Sequence, residues 1–359
     1  MNFPSNISRG LVVAIVIAVF CSASQGAVVL HTTYGQLSGN ISPNDGTDDT
    51  PMQIAAGYAS HLTLSNSLPV YQAVGEISAG GGCTATWIGN DASGAWLLTA
   101  AHCGGNPAND SQSFTAWDGL QTYTSPAGSW TRFDSPDYVP DDAPTNFTGE
   151  AFFDIALMRL DGMAISINDS AGNTVSQPVL YSGTAEQGEL VTWVGYGVRG
   201  TGLIGQQDDV NDDFTNVGDW GAGRAAAQNI IDTVRDDGTD TELLFDFDDP
   251  DDLPNPTVNG FEGHLSSGDS GGGAFLTIGG ATVLAGVVSE SGAEFYVDGT
   301  GAGENALTRV SGAQSFISSN FSGAQFSAVP EPSAFLFLGL GGVLMGLRRY
   351  VSLMGRAID

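Results

Sequence analysis

Gly268-Asp269-Ser270-Gly271-Gly272 is the stretch from which this chain is best read. A serine between glycines, preceded by an aspartate, is a recurring way to present a nucleophile. The glycines allow a tight bend, and their missing side chains let a substrate come close. In such a bend the amides of Gly268 and Ser270 can point at one spot and bind a developing oxyanion. A chain with 50 glycines also makes glycine-rich turns that carry no chemistry. The serine motif therefore needs partners elsewhere in the sequence.

Composition bounds what those partners can be. A chain of 359 residues is long enough for two domains with cores of their own. Charged residues make up only 14% and glycine is abundant, which suits an all-β protein with many turns. The ten basic residues are all arginine, against forty acidic residues and a net charge of −30. That balance argues against nucleic acid and anionic membrane surfaces as partners. Residues 1–26 read as an export signal: Arg9, an apolar core from Leu11 to Phe20, then the small residues Ser24 and Gly26 flanking Gln25. A signal peptidase cutting after Gly26 would remove Cys21 and leave Cys83 and Cys103. An even count in an exported chain reads as one disulfide.

Residues 27–53 are polar and turn-rich and read as a leader or propeptide. From Val70 onward short apolar runs are cut by glycine and asparagine. Val74–Ile77, Ala85–Gly89 and Ala95–Ala100 read as strands of a meander. Residues 104–150 read as loops, and Phe152–Leu160 as a strand. Leu190–Gly197 is a strand ending in a glycine turn. Residues 206–260 read as a long acidic insertion with apolar islands at Ile230-Ile231 and Leu243–Phe247. Val283–Ser289 is a strand, and 306–320 hold a last strand and a short helix, with Val310, Phe316 and Ile317 facing inward.

Three motifs follow one another along the chain: Leu98-Thr99-Ala100-Ala101-His102-Cys103 after a strand, Asp154-Ile155-Ala156-Leu157 opening another, and then the serine loop. A serine hydroxyl is a poor nucleophile without an adjacent base. Histidine supplies that base near neutral pH, and a buried aspartate fixes its tautomer. Taken singly, His102 reads equally as a core histidine, Asp154 as a turn cap and Ser270 as a turn residue. The order and the neighbours of all three together point to a triad.

In these motifs the sequence resembles the trypsin-like (chymotrypsin-fold) serine endopeptidases, from about residue 54 to 321. Gly195-Tyr196-Gly197 and Leu307-Thr308-Arg309-Val310 extend the likeness. The resemblance implies two antiparallel β-barrels with the active site in the cleft between them. The first would be 54–175, carrying His102 and Asp154. The second would be 176–321, carrying Ser270 and the acidic insertion, with the final short helix packed on it. By the same likeness His102 is the general base, Asp154 its orienting partner and Ser270 the nucleophile, and no cofactor is needed. Gly268 and Ser270 form the oxyanion hole, and Cys83 pairs with Cys103. Ser289 belongs to the segment that pairs with extended substrate and packs near the aspartate. His264 takes the base of the primary pocket, with Leu265, Ser291 and Asn305 on its walls. The substrate is then a protein or peptide. A catalytically inactive homologue acting as a surface binding protein is the rival reading.

The sequence also departs from the pattern. Ser266 stands where many such proteases have a cysteine, and Glu290 where they have a tryptophan. Ile54-Ala55-Ala56-Gly57 resembles the family's freed N-terminus, which would pair with Asp269 after cleavage behind Gln53. An ordinary connecting segment reads those residues as well. His31, His61 and His264 show no metal-ligand spacing, so no metal site is expected among them. Asp246, Asp248, Asp249, Asp251 and Asp252 offer oxygens for a structural Ca²⁺, but lack EF-hand spacing, and a solvated acidic loop is the simpler reading.

At the C-terminus, 322–329 read as a flexible link after a domain ending near Phe321. Linker and Pro-Glu-Pro motif together span 322–333. Val329-Pro330-Glu331-Pro332 then precedes an apolar run from Ala334 to Leu347 and Arg348-Arg349, within a segment of 334–359. This resembles the PEP-CTERM sorting signal of Gram-negative bacteria. It implies an exosortase-type sorting enzyme as partner and transient membrane anchoring. The expected location is the periplasm, the outer envelope or the medium. A retained short anchor is the alternative.

Overall fold

A computed structural model describes residues 59–78, 82–103, 112–125, 131–134, 154–197, 199–201, 205–207, 224–236, 241–247, 261–266, 268–290 and 305–328. The export signal, the Ile54 segment, Ser291 and the Pro-Glu-Pro tail lie outside the described residues, and so do Asp248, Asp249, Asp251 and Asp252.

The protein is all-β, built on two curled antiparallel sheets, a barrel and a half-barrel. The first sheet contains β1 (Val74–Ile77), β2 (Cys83–Asn90), β3 (Gly94–Thr99), β4 (Gln112–Thr115), β5 (Thr122–Ser125), β6 (Thr131–Asp134) and β7 (Ala156–Asp161). Their spatial order is β5-β4-β1-β2-β3-β7-β6. β2 and β3 are buried almost throughout, so they read as continuous apolar runs rather than as alternation. Asp91 turns the chain between them: its carboxylate accepts from the amides of Ser93 and Gly94 and from Trp96 Nε1.

After β8 (Leu180–Tyr181) and β9 (Leu190–Gly195) come β10 (Arg199–Thr201) and β11 (Gly205–Gln207), which pair with each other. β12 (Ala225–Ile230), β13 (Thr233–Asp236), β14 (Thr241–Phe245), β15 (Gly273–Ile278), β16 (Ala281–Glu290) and β17 (Asn305–Arg309) follow. With β9 they form the second sheet, in the order β12-β9-β15-β16-β17-β14-β13. A helix at Gln314–Asn320 and a short β18 (Phe326–Ser327) complete the described chain.

Four sequence expectations change or sharpen here. The stretch 104–150, read as loops, holds β4, β5 and β6. The acidic stretch contributes β12, β13 and β14 to the second sheet, its apolar islands being strand residues and its acids clustering between them. The C-terminal helix was expected on the second barrel. Its Ile317 and the following Phe321 belong to a cluster that joins both sheets, including Leu97, Leu98 and Trp96 of the first and Leu284 and Val287 of the second, and Phe321 stacks on Trp96 at 5.3 Å between ring centroids. The link at 322–329 is not free as far as Ser327: β18 runs parallel to β8, and Leu180 N–H donates to Gln325 O at 2.7 Å.

Two apolar clusters result. One joins the first sheet to Val194, Phe275, Leu284 and Val287 of the second. The other lies within the second sheet, around Trp193 stacked on Phe245. Two buried arginines tie distant segments together. Arg224 donates to the carbonyls of Ser65, Tyr71 and Val74, pinning the chain ahead of β1 to β12. Arg309 makes a two-pronged ion pair with Glu186, at 2.6 and 3.0 Å. Among the described residues no helix is long and apolar enough to cross a membrane.

Candidate active site

His102 sits in a single 3-10 turn, Ala101–Cys103, just past the end of β3. Ala100, Ala101 and Cys103 are buried, so the turn is seated by small side chains while the His102 side chain remains 37% exposed. Cys103 is bonded to Cys83 at the start of β2, as expected. Closing that loop of 20 residues contributes about 3 kcal/mol by restricting the unfolded chain.

Asp154 lies two residues before β7. The antiparallel pairing of β7 with β3, which matches Thr99 to Ala156, sets Asp154 beside the His102 turn. The aspartate accepts from the His102 amide at 2.9 Å, and its other oxygen lies 2.6 Å from His102 Nδ1. Asp154 is only 2% exposed. Burial pushes its carboxyl up, but the His102 ring, the Ser289 hydroxyl and the His102 amide outweigh that and hold it below the ordinary range. Ser289 Oγ donates to Asp154 Oδ2 at 2.7 Å, and Thr308 Oγ1 donates to the Asp154 carbonyl at 3.0 Å. A bulge in β16 between Val288 and Glu290 leaves Ser289 out of the ladder with β17. The second sheet thus grips the aspartate by side chain and by backbone.

Ser270 lies in the turn before β15. Gly268 and Gly271 have φ of +95° and +84°, a region that only glycine adopts readily. A Cβ at Gly271 would strike Thr84 O and Thr99 Oγ1. The amides of Asp269, Gly271 and Gly272 donate to Ser266 O, Val288 O and Asp269 O. Among the described residues those of Gly268 and Ser270 donate to none. The Ser270 carbonyl accepts from the Thr84 amide at 2.9 Å and lies 3.5 Å from Cys103 Sγ. The serine loop therefore abuts the turn that carries His102.

Chemically, an imidazole whose Nδ1 is bonded to a carboxylate keeps its proton there, so that Nε2 is the nitrogen that can act as a base. Asp269 is held by local donors: the Gly197 amide at 2.8 Å, and the Ser266 amide and hydroxyl at 3.1 and 2.9 Å. Ser266, in the place of the expected cysteine, thus braces the loop by hydrogen bonds. A Cβ at Gly195 or Gly197 would collide with that carboxylate, which explains the Gly-Tyr-Gly turn.

His264 is 2% exposed and packs 5.8 Å from the Phe247 ring. Leu265 is buried in the apolar core of the second sheet, and its amide donates to Asn305 Oδ1. Leu265 and Asn305 are thus buried and bonded to each other. His61 is buried with Nδ1 2.7 Å from Ala226 O. Among the described residues the one tight group of potential metal ligands is Cys83, His102 and Cys103, and its two sulfurs form the disulfide. Thr84 and Thr308 escaped the sequence reading; both lie in strands, and only the pairing of the sheets reveals what they hold.

A curled two-sheet fold with a part-exposed histidine bonded to a buried aspartate, beside a glycine-flanked serine, is of the chymotrypsin type. The Trypsin family model matches residues 64–232, which include His102 and Asp154 and end before Ser270. Among solved structures the chain is similar to neuropsin, a serine protease expressed in the limbic system of mouse brain. The identity is 16% and the TM-score 0.45, over 71% of this chain and 97% of that one. No curated protein matches the sequence.

Proposed function

We propose that the protein is an exported serine endopeptidase of the trypsin-like family. The observation that carries this is the 2.6 Å contact of His102 Nδ1 with Asp154, on a turn that abuts the Ser270 loop. Ser270 Oγ attacks the scissile carbonyl and His102 Nε2 takes its proton. Asp154 stabilises the imidazolium that forms. The oxyanion is bound by the amides of Gly268 and Ser270, which donate to no backbone carbonyl among the described residues. His102 then protonates the leaving amine, and water hydrolyses the acyl-enzyme by the same path. No cofactor enters these steps.

Export rests on the sequence of residues 1–26, and sorting on the Pro-Glu-Pro tail, with cleavage there by an exosortase-type enzyme. Activation by cleavage after Gln53 belongs to the same reading. A fluorophosphonate probe tests the chemistry. The protein should label at Ser270, and Ser270→Ala should lose the label and about 10⁶-fold in kcat. An unlabelled wild-type protein would instead identify a binding protein on a protease fold.

A further inference from the structure

Three groups of Thr84, a 0% exposed residue on β2, converge on the serine loop and its neighbours. Its amide donates to Ser270 O at 2.9 Å. Its hydroxyl donates to Gly268 O at 2.8 Å and accepts from the Tyr196 amide at 3.1 Å. Its carbonyl accepts from Thr99 Oγ1 at 2.7 Å.

The peptide units of the loop can be taken one at a time. The unit joining Gly268 to Asp269 is fixed at both ends, by Thr84 Oγ1 on its oxygen and by Ser266 O on its nitrogen. The unit joining Ser270 to Gly271 is also fixed at both ends, by the Thr84 amide and by Val288 O. Between them the unit joining Asp269 to Ser270 accepts at its carbonyl from Gly272 N–H, and among the described residues its nitrogen donates to no backbone carbonyl. In the peptidase reading the Ser270 amide is the donor offered to the oxyanion. Gly268, at φ +95°, has no side chain to resist rotation. Its carbonyl anchor to Thr84 Oγ1 is therefore one of the bonds that keep the loop in one conformation.

We propose that the Thr84 hydroxyl is a positioning residue for the oxyanion-binding loop. Strand β2 then holds both halves of the machinery from adjacent residues: Cys83 ties down the His102 turn through the disulfide, and Thr84 clamps the Ser270 loop. Because that hydroxyl also accepts from Tyr196, it fixes the glycine turn after β9 in the same stroke. This rests on the peptidase reading, and the test separates the two.

Thr84→Val keeps the branched strand side chain and the backbone amide but removes the hydroxyl; Thr84→Ser restores it. Hydrogen–deuterium exchange of peptides covering 266–272 reads the clamp without any chemistry. Exchange there should quicken about tenfold in Thr84→Val and return towards wild type in Thr84→Ser. Labelling by the fluorophosphonate reads the oxyanion site. Its limiting rate should fall about 10- to 100-fold in Thr84→Val with probe affinity unchanged, since the loop is misplaced and no donor is lost. The pH midpoint of labelling, set by His102, should stay where it is. Unchanged exchange in Thr84→Val, no rescue by Thr84→Ser, or a shifted pH midpoint would overturn the proposal. A wild-type protein that never labels sinks the peptidase reading instead, whatever exchange shows. If Thr84→Val does not fold, Thr84→Ala replaces it with the same outcomes.

Discussion

Burial alone would raise the Asp154 carboxyl, yet its bonds to His102 and Ser289 bring it below the ordinary 3.8. A carboxyl lowered in the folded state binds fewer protons there than in the unfolded chain, so stability rises with pH across that window. The contribution is fully present above about 3.8 and is lost as pH falls through the lower folded value. Thermal melts of wild type and Asp154→Asn between pH 7 and 3 should therefore converge at the acid end. A gap that stays constant would mean the carboxylate contributes no pH-dependent term. At neutral pH the same variant should lose about 10⁴-fold in kcat, because an amide no longer enforces the imidazole tautomer. His264 bears on specificity. It is buried, and in the proposed trypsin-like reading its place six residues before Ser270 is the base of the primary pocket, where a carboxylate would be needed to pair with a basic side chain. A peptide-library digest should show no preference for cutting after Arg or Lys, and a majority of such cuts would refute this.

Single elements differ in how openly the sequence announces them. β2, β3, β9 and β16 are long apolar runs, and they were legible as strands. β4 and β5 are rich in Thr, Ser and Gln and only half buried, so their periodicity is faint. β12–β14 were obscured by the many acids of the sequence around them, and β8 and β18 are two residues each, specified by pairing rather than by composition. The candidate residues His102, Asp154 and Ser270 stood out because each sits in a distinctive local run, whereas the contacts around them are not local. Leu307-Thr308-Arg309-Val310 read as a strand, but neither the bond from Thr308 to Asp154 nor the Arg309 pair with Glu186, 123 residues away, has a local signal. That ion pair is nearly dry, at 5% and 0% side-chain exposure. Arg309→Met should cost about 3–5 kcal/mol in urea unfolding, because Glu186 is left charged and buried. Adding Glu186→Gln should recover much of the loss. A single variant within about 1 kcal/mol of wild type would show that water reaches Glu186.

For the whole molecule, the position of the last structural residue follows from how β16 is supported. β16 carries Ser289, and its Leu284 pairs with Leu180 of β8. β8 in turn takes β18 as its other neighbour, and Gln177 Nε2 donates to Gly323 O at 2.8 Å. The chain beyond Phe321 thus backs a strand that backs the active-site strand. A protein ending at Ala328 keeps every one of these contacts and should match the exported form in stability and activity. One ending at Phe321 loses β18 and its hydrogen bonds. It should unfold about 2 kcal/mol more easily, which for a chain of this size lowers Tm by about 2–4 °C. Its kcat should stay close to wild type, because among the described residues the hydrogen bonds and strand pairing of 322–328 run to 177–182 and Phe321, not to the His102 turn or the serine loop. Equal Tm values for the two truncations would show that β18 contributes nothing. Loss of activity in the Ala328 form would make the Pro-Glu-Pro tail part of the fold. In a host with the sorting enzyme, intact mass should place the mature C-terminus ahead of Arg348, and a mass retaining Ala334 to Asp359 would identify a permanent anchor.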